Sequence, residues 1–174
     1  LGRALLRQKY HTTSPSDHLA AWEKAVEEYP DSALAHCGRA AALREDREAA
    51  LAAYRRALEL QPDLGEAHVG SGRILESEED FDAALTEYRK AVQVELGYAD
   101  GHRVVGALLL KRKDFAQSAA ASRKAIDLSP RISGNYYQLG QALHALEQFE
   151  EAIAAYRETI TRSEFQTAAF YALG

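Results

Sequence analysis

Five glycines, Gly38, Gly72, Gly106, Gly140 and Gly174, follow one another at intervals of 34 residues. A strict period of this length is the signature of a repeat architecture, in which one supersecondary unit recurs and each copy buries its apolar face against its neighbours. The segments around the glycines repeat as well. GRAAALREDREAALAAYRRALELQP from Gly38 aligns without a gap on GRILESEEDFDAALTEYRKAVQVEL from Gly72, sharing Gly, Arg, Asp, Ala-Ala-Leu, Tyr-Arg and Ala.

Each copy reads as two amphipathic helices rich in Ala, Leu, Glu, Arg and Lys, the strong helix formers. Helix A carries the glycine. A turn precedes Asp46, Asp80, Asp114 or Gln148, and helix B follows; Asp there accepts bonds from the unpaired N–H groups of the first turn. Pro30, Pro62 and Pro130 end B helices, because the residue before proline resists the α conformation. A helical glycine costs about 1 kcal/mol relative to alanine, so its regular return implies close packing of helix A on helix B. Ala84, Ser118 and Ala152, twelve residues on, suit that contact, and Tyr54, Tyr88 and Tyr156, sixteen on, are expected to fill the space between hairpins.

The Leu139-Gly140 pair, Ala and Tyr at these offsets, the closing Ala57, Ala91 and Ala125, and the prolines resemble the tetratricopeptide-repeat (TPR) pattern, whose period is also 34. The chain departs from that pattern at Leu96 and Glu164 in place of the terminal Pro, Thr159 in place of Ala, and Ser122 in place of the large aromatic. The resemblance implies an all-α fold, a right-handed superhelical solenoid of antiparallel helix hairpins. Its units are expected at residues 1–30 (partial and irregular), 31–64, 65–98, 99–132 and 133–166, with a further helix starting at 167–174. In the first unit Trp22 takes the aromatic's place, the turn within KYHTTSPSDH holds extra residues, and a two-residue shortening falls between Pro30 and Gly38. Neither end carries a polar cap, so more repeats, another domain or a partner is expected to cover them, and self-association through the ends is one outcome.

In this family the A helices line a concave groove. By the resemblance the groove residues are Arg3, Arg7, His36, Arg39, Arg73, Arg103, Lys111, Tyr137, Gln138, Gln141, His144 and Tyr171. Arg3, Arg39 and Arg73 would form a ladder with steps of roughly 10 Å, suited to carboxylates or backbone carbonyls of an extended peptide. The expected function is therefore a protein–protein interaction scaffold that holds an acidic or extended partner segment. A substrate-recruiting, non-catalytic region of a larger enzyme is the alternative, and a helical-repeat RNA binder is disfavoured. The Lys/Asn clamp of TPR co-chaperones is not reproduced at Ala35, Arg39 and Gly70.

The excluded classes follow from charge and motifs. A net charge of −5, from 21 basic against 26 acidic residues, opposes a nucleic-acid partner. Cys37 is the single cysteine and reads as a small buried hydrophobe. His36, His68 and His102 recur near the repeat period, but residues one repeat apart stand too far from each other to share an ion about 2 Å from each. No phosphate loop, H-E-x-x-H or nucleophile elbow is present, so no enzyme and no cofactor is expected. No apolar run approaches the roughly 20 residues of a membrane span. The chain reads as soluble, with the cytoplasm the favoured compartment.

Overall fold

Repeated N-caps and proline stops divide the chain into helices of ten to fourteen residues, seen in a computed structural model that describes residues 15–43, 45–94 and 99–162. The helices are α1 Pro15–Glu28, α2 Ala33–Ala42, α3 Arg47–Leu60, α4 Gly65–Ser77, α5 Phe81–Val94, α6 Ala99–Lys111, α7 Phe115–Leu128, α8 Ser133–Ala145 and α9 Phe149–Thr161. They form two compact units, one up to Val94 and one from Glu95. The fold is all-α, with antiparallel hairpins α2–α3 and α4–α5 in the first unit and α6–α7 and α8–α9 in the second.

The expected caps are present. Asp46 accepts from Ala49 N at 2.9 Å, Asp80 from Ala83 N at 3.1 Å, and Asp114 from Gln117 N at 3.3 Å. Gln148, the one non-acidic member of the series, makes no such bond. In three hairpins the residue before the cap or cap-equivalent holds a left-handed backbone, at Glu79, Lys113 and Glu147. Helices α1, α3 and α7 end two residues before Pro30, Pro62 and Pro130.

The small residues and aromatics form the core. Ala84, Ser118 and Ala152 are buried, and the Ser118 hydroxyl donates to the Gly106 carbonyl at 2.8 Å, tying α7 to α6. Tyr88 is fully buried, and a Cβ placed on Gly72 would lie 2.4 Å from its ring; Gly140 stands in the same relation to Tyr156, at 2.5 Å. These glycines are required because the ring occupies the side-chain site.

The first described hairpin departs from the expectation. Gly38 faces Trp22, sixteen residues before it, and not Tyr54, sixteen after. That is the relation of Gly70 to Tyr54 in the next repeat. The cluster of Trp22, Ala25 and Ala35 likewise matches that of Tyr54, Ala57 and Ala67, 32 residues on. Helix α2 thus stands in register with residues 32 later, and Ala40, buried beside Tyr54, takes the place of Gly72. The two-residue shortening therefore does not lie between Pro30 and Gly38. It lies at the far end of α2, which has 10 residues against 13 in α4 and leads to α3 through a connection without a left-handed residue among those described.

Candidate functional site

In the second unit the A-type helices α6 and α8 lie side by side and enclose a cleft of about 360 Å³. Arg103, Ala107 and Leu110 line it from α6, Gly134, Tyr137, Gln138 and Gln141 from α8, and Ile132 from the turn before α8. The lining is periodic: 103, 107 and 110 fall on one face of a helix, as do 134, 137, 138 and 141. A volume of this size is at the lower end of ligand pockets, about 300–1,000 Å³. The lining combines apolar surface from Leu110, Ile132 and Ala107 with a phenol from Tyr137 and two amides.

Electrostatics in the cleft are muted. The Arg103 guanidinium is engaged within its own helix, Nε donating to Asp100 Oδ1 at 2.9 Å and Nη2 to the same oxygen. Gln138 is buried and its Nε2 donates to the Arg103 carbonyl at 3.2 Å, so α8 grips α6 through an amide. The Tyr137 ring lies 5.9 Å from that of Tyr156, tilted by 50°. Burial, and then Tyr137, push the Tyr156 hydroxyl above the ordinary phenol range. His102, one residue before Arg103, is held below the ordinary imidazole range by burial and by the Lys124 charge.

The structure thus brings together Arg103, Tyr137, Gln138 and Gln141 among the residues expected in a groove. Lys111 is exposed one residue beyond Leu110. His144 is exposed and stands edge-on to Phe149, with ring centroids 5.7 Å apart. Arg3, Arg7 and Tyr171 lie outside the described residues. In the first unit the expected ladder fails: Arg73 is exposed on α4, whereas Arg39 is half-buried with its Nε enclosed and without a hydrogen-bond partner. The register of α2 is the reason. Arg39 is the counterpart of buried Ser71, and exposed Ala41 is the counterpart of Arg73.

His36 is also turned away from a groove. It is buried, and its Nε2 meets the Pro30 carbonyl at 2.8 Å. His68 repeats the bond on Pro62 at 3.0 Å, and Tyr136 repeats it with its hydroxyl on Pro130 at 3.2 Å. His36 and His68 therefore close the turns that precede their helices. His68 does more: its Nδ1 lies 2.7 Å from Glu87 Oε2, across from α4 to α5. An ionised carboxylate only accepts, so in this pair Nδ1–H donates to Glu87. This bond first, and Lys90 at 2.7 Å from the other carboxylate oxygen, hold the Glu87 carboxyl below its ordinary range against the effect of burial. Among the described residues no group of three His, Cys, Asp or Glu side chains could hold a metal ion, and no helix is long and apolar enough to cross a membrane.

Of the cleft's lining residues, the family resemblance had pointed to Arg103, Tyr137, Gln138 and Gln141. It missed Ile132, which sits in a turn, and Gly134, which has no side chain to draw attention; the only sequence signal for either is proximity to Pro130 at the entry to helix A.

A family model described as tetratricopeptide repeat matches residues 38–100 and 71–136, and a second so described matches 133–165. No curated protein matches the sequence. Among solved structures, YrrB, described as a TPR protein with an unusual peptide-binding site, is 24% identical with a TM-score of 0.75, over 88% of this chain and 80% of its own. A MamA crystal structure is 16% identical with a TM-score of 0.74, over 88% and 91%. MamA from Desulfovibrio magneticus RS-1 is 17% identical with a TM-score of 0.73, over 95% and 94%.

Proposed function

The chain belongs to the tetratricopeptide repeat family, and from that premise we propose that it is a non-catalytic interaction module that holds an extended segment of a partner protein in the cleft between α6 and α8. The observation that carries this is the convergence of Arg103, Tyr137, Gln138 and Gln141 on one open cleft that Ala107, Leu110 and Ile132 also line. An apolar side chain of the segment fits against Leu110 and Ile132, while Gln141 and the unused N–H groups of Arg103 serve its backbone carbonyls or an acidic side chain. Because Asp100 already neutralises much of the Arg103 charge, a carboxylate competes there with an internal one, and shape and amide contacts outweigh acidity in the selection. The peptide-binding site ascribed to YrrB agrees with a module of this kind. The units at 31–64, 65–98, 99–132 and 133–166 are proposed as the repeats that carry it.

The test is a peptide selected by display on this chain, with its affinity measured by calorimetry against Tyr137→Ala and Gln141→Ala. Each substitution is expected to weaken binding at least about tenfold, equivalent to about 1.4 kcal/mol, with the helical circular dichroism unchanged. Selected peptides whose affinity is indifferent to both substitutions refute the assignment.

A further inference from the structure

Four helical glycines of the described chain are closed by an aromatic ring: Gly38 by Trp22, Gly70 by Tyr54, Gly72 by Tyr88 and Gly140 by Tyr156. Gly106 is different. Sixteen residues after it stands Ser122 instead of tyrosine, and the space that a ring would fill is entered from the other side. A Cβ on Gly106 would lie 2.2 Å from Gln138 Nε2 and 3.2 Å from Ser122 Oγ. The vacated ring site is thus occupied in part by the end of a flexible amide from α8.

Three observations mark this as a place that can open. Ser122 is 1% exposed, and its Oγ is enclosed without a hydrogen-bond partner, which is costly for a buried hydroxyl. Gln138 is anchored there by a single hydrogen bond, 3.2 Å long, to the Arg103 carbonyl. And Gln138 also lines the cleft, so one movable side chain separates the cleft from the notch beside Gly106.

Building on the reading of this cleft as a partner groove, we propose that it takes a tyrosine side chain of the partner segment. Gln138 swings aside, and the incoming ring enters tip first beside Gly106, where the repeat's own aromatic is missing. Its hydroxyl reaches Ser122 Oγ, which can donate to it or accept from it. Leu110 and Ala107 cover the ring on the way in. A tyrosine from outside thereby completes the packing that Tyr88 and Tyr156 complete from within.

The test uses p-cresol as the probe, titrated into the ¹⁵N-labelled chain, with toluene as the probe lacking the hydroxyl. Saturable shifts are expected at Gly106, Ala107 and the Gln138 side-chain amide. Gln138→Ala is expected to tighten p-cresol binding about threefold or more, and Ser122→Ala to remove the preference for p-cresol over toluene. Ser122→Tyr, which restores the internal ring, is expected to weaken binding at least about tenfold. Should that variant fail to fold, the two alanine variants decide. The proposal is overturned by shifts that do not saturate, by shifts that map elsewhere, or by a hydroxyl preference that survives Ser122→Ala. Its failure is separable from that of the groove reading. Selected peptides that perturb Tyr137 and Gln141 without preferring tyrosine overturn the tyrosine subsite and leave the groove. Saturable p-cresol binding with no peptide bound at the cleft supports the subsite and removes the groove.

Discussion

Gly72→Ala and Gly106→Ala are the same substitution at the same offset in two successive repeats, and they are expected to diverge by about 2 kcal/mol. Both gain about 1 kcal/mol of helix propensity. At Gly72 the new methyl would lie 2.4 Å from Tyr88 Cε1 and 2.6 Å from Cδ1, more than about 1 Å inside the optimal carbon–carbon separation of about 3.5–4.0 Å. Tyr88 cannot yield cheaply. It is fully buried, and its hydroxyl is bound to Glu76 Oε2 at 2.9 Å. Overpacking of this kind costs about 1–3 kcal/mol, and moving the ring strains a hydrogen bond of about 1 kcal/mol, leaving a net loss of about 2 kcal/mol. At Gly106 the nearest obstacle is the end of Gln138, which rotates away at the loss of one long bond of about 1 kcal/mol, and Ser122 Oγ, at 3.2 Å, has only to give slightly. That offsets the propensity gain, and the net change is near zero. Urea unfolding followed by circular dichroism measures the difference. With a slope of about 2 kcal/mol per molar, the Gly72→Ala midpoint falls by about 1 M while that of Gly106→Ala hardly moves. Equal midpoints for the two variants would refute the argument that the ring, and not the helix position, makes glycine necessary.

Three further outcomes are expected. The Glu87 carboxyl is held below its ordinary range, so the folded state binds fewer protons there than the unfolded state. Its contribution, about 2 kcal/mol for a charge-assisted bond, is full above about pH 5 and is lost as pH falls through the lowered value. The stability gap between the native chain and Glu87→Gln, read from urea midpoints, should therefore close on acidification; a gap constant down to about pH 3 contradicts the pairing with His68. Gln148→Asp should add the cap that α9 lacks and raise stability by about 0.5–1 kcal/mol, visible as a higher melting temperature. Arg39→Leu relieves an enclosed donor without a partner and should be neutral or stabilising by about 1 kcal/mol; a strong loss of stability would show that Arg39 has a partner in the folded chain.

Much of the hairpin fold can be read from the residues. Asp46, Asp80 and Asp114 announce helix starts, the prolines announce stops, and Tyr88 and Tyr156 stand where their spacing from glycine requires. The α2 register is not legible in this way. A spacing of 34 says only that two residues are missing somewhere between Pro30 and Asp46, on either side of Gly38. The contacts of Trp22 and His36 decide the side, and both are tertiary. The arginine ladder fell with that choice, because two residues turn a helix by about 200° and carry Arg39 from the exposed face to an enclosed one. The cleft was legible where it is built from helix positions in regular repeats. Its link to the notch at Gly106 was not, because Ser122 shows in sequence only as a lost aromatic, while its replacement by Gln138 crosses between repeats.

The shortened end of α2 has a further consequence. A deletion inside a periodic array would ordinarily propagate, since each hairpin is the template on which the next is seated. Here the error is cancelled within one hairpin: α3 begins at Arg47 in phase with α5 at Phe81. The link between α2 and α3 thus behaves as a phase corrector, absorbing a change of length so that later copies keep step. Insertions and deletions acquired during the duplication history of such a chain would be tolerated at links of this kind and rejected within the seated helices.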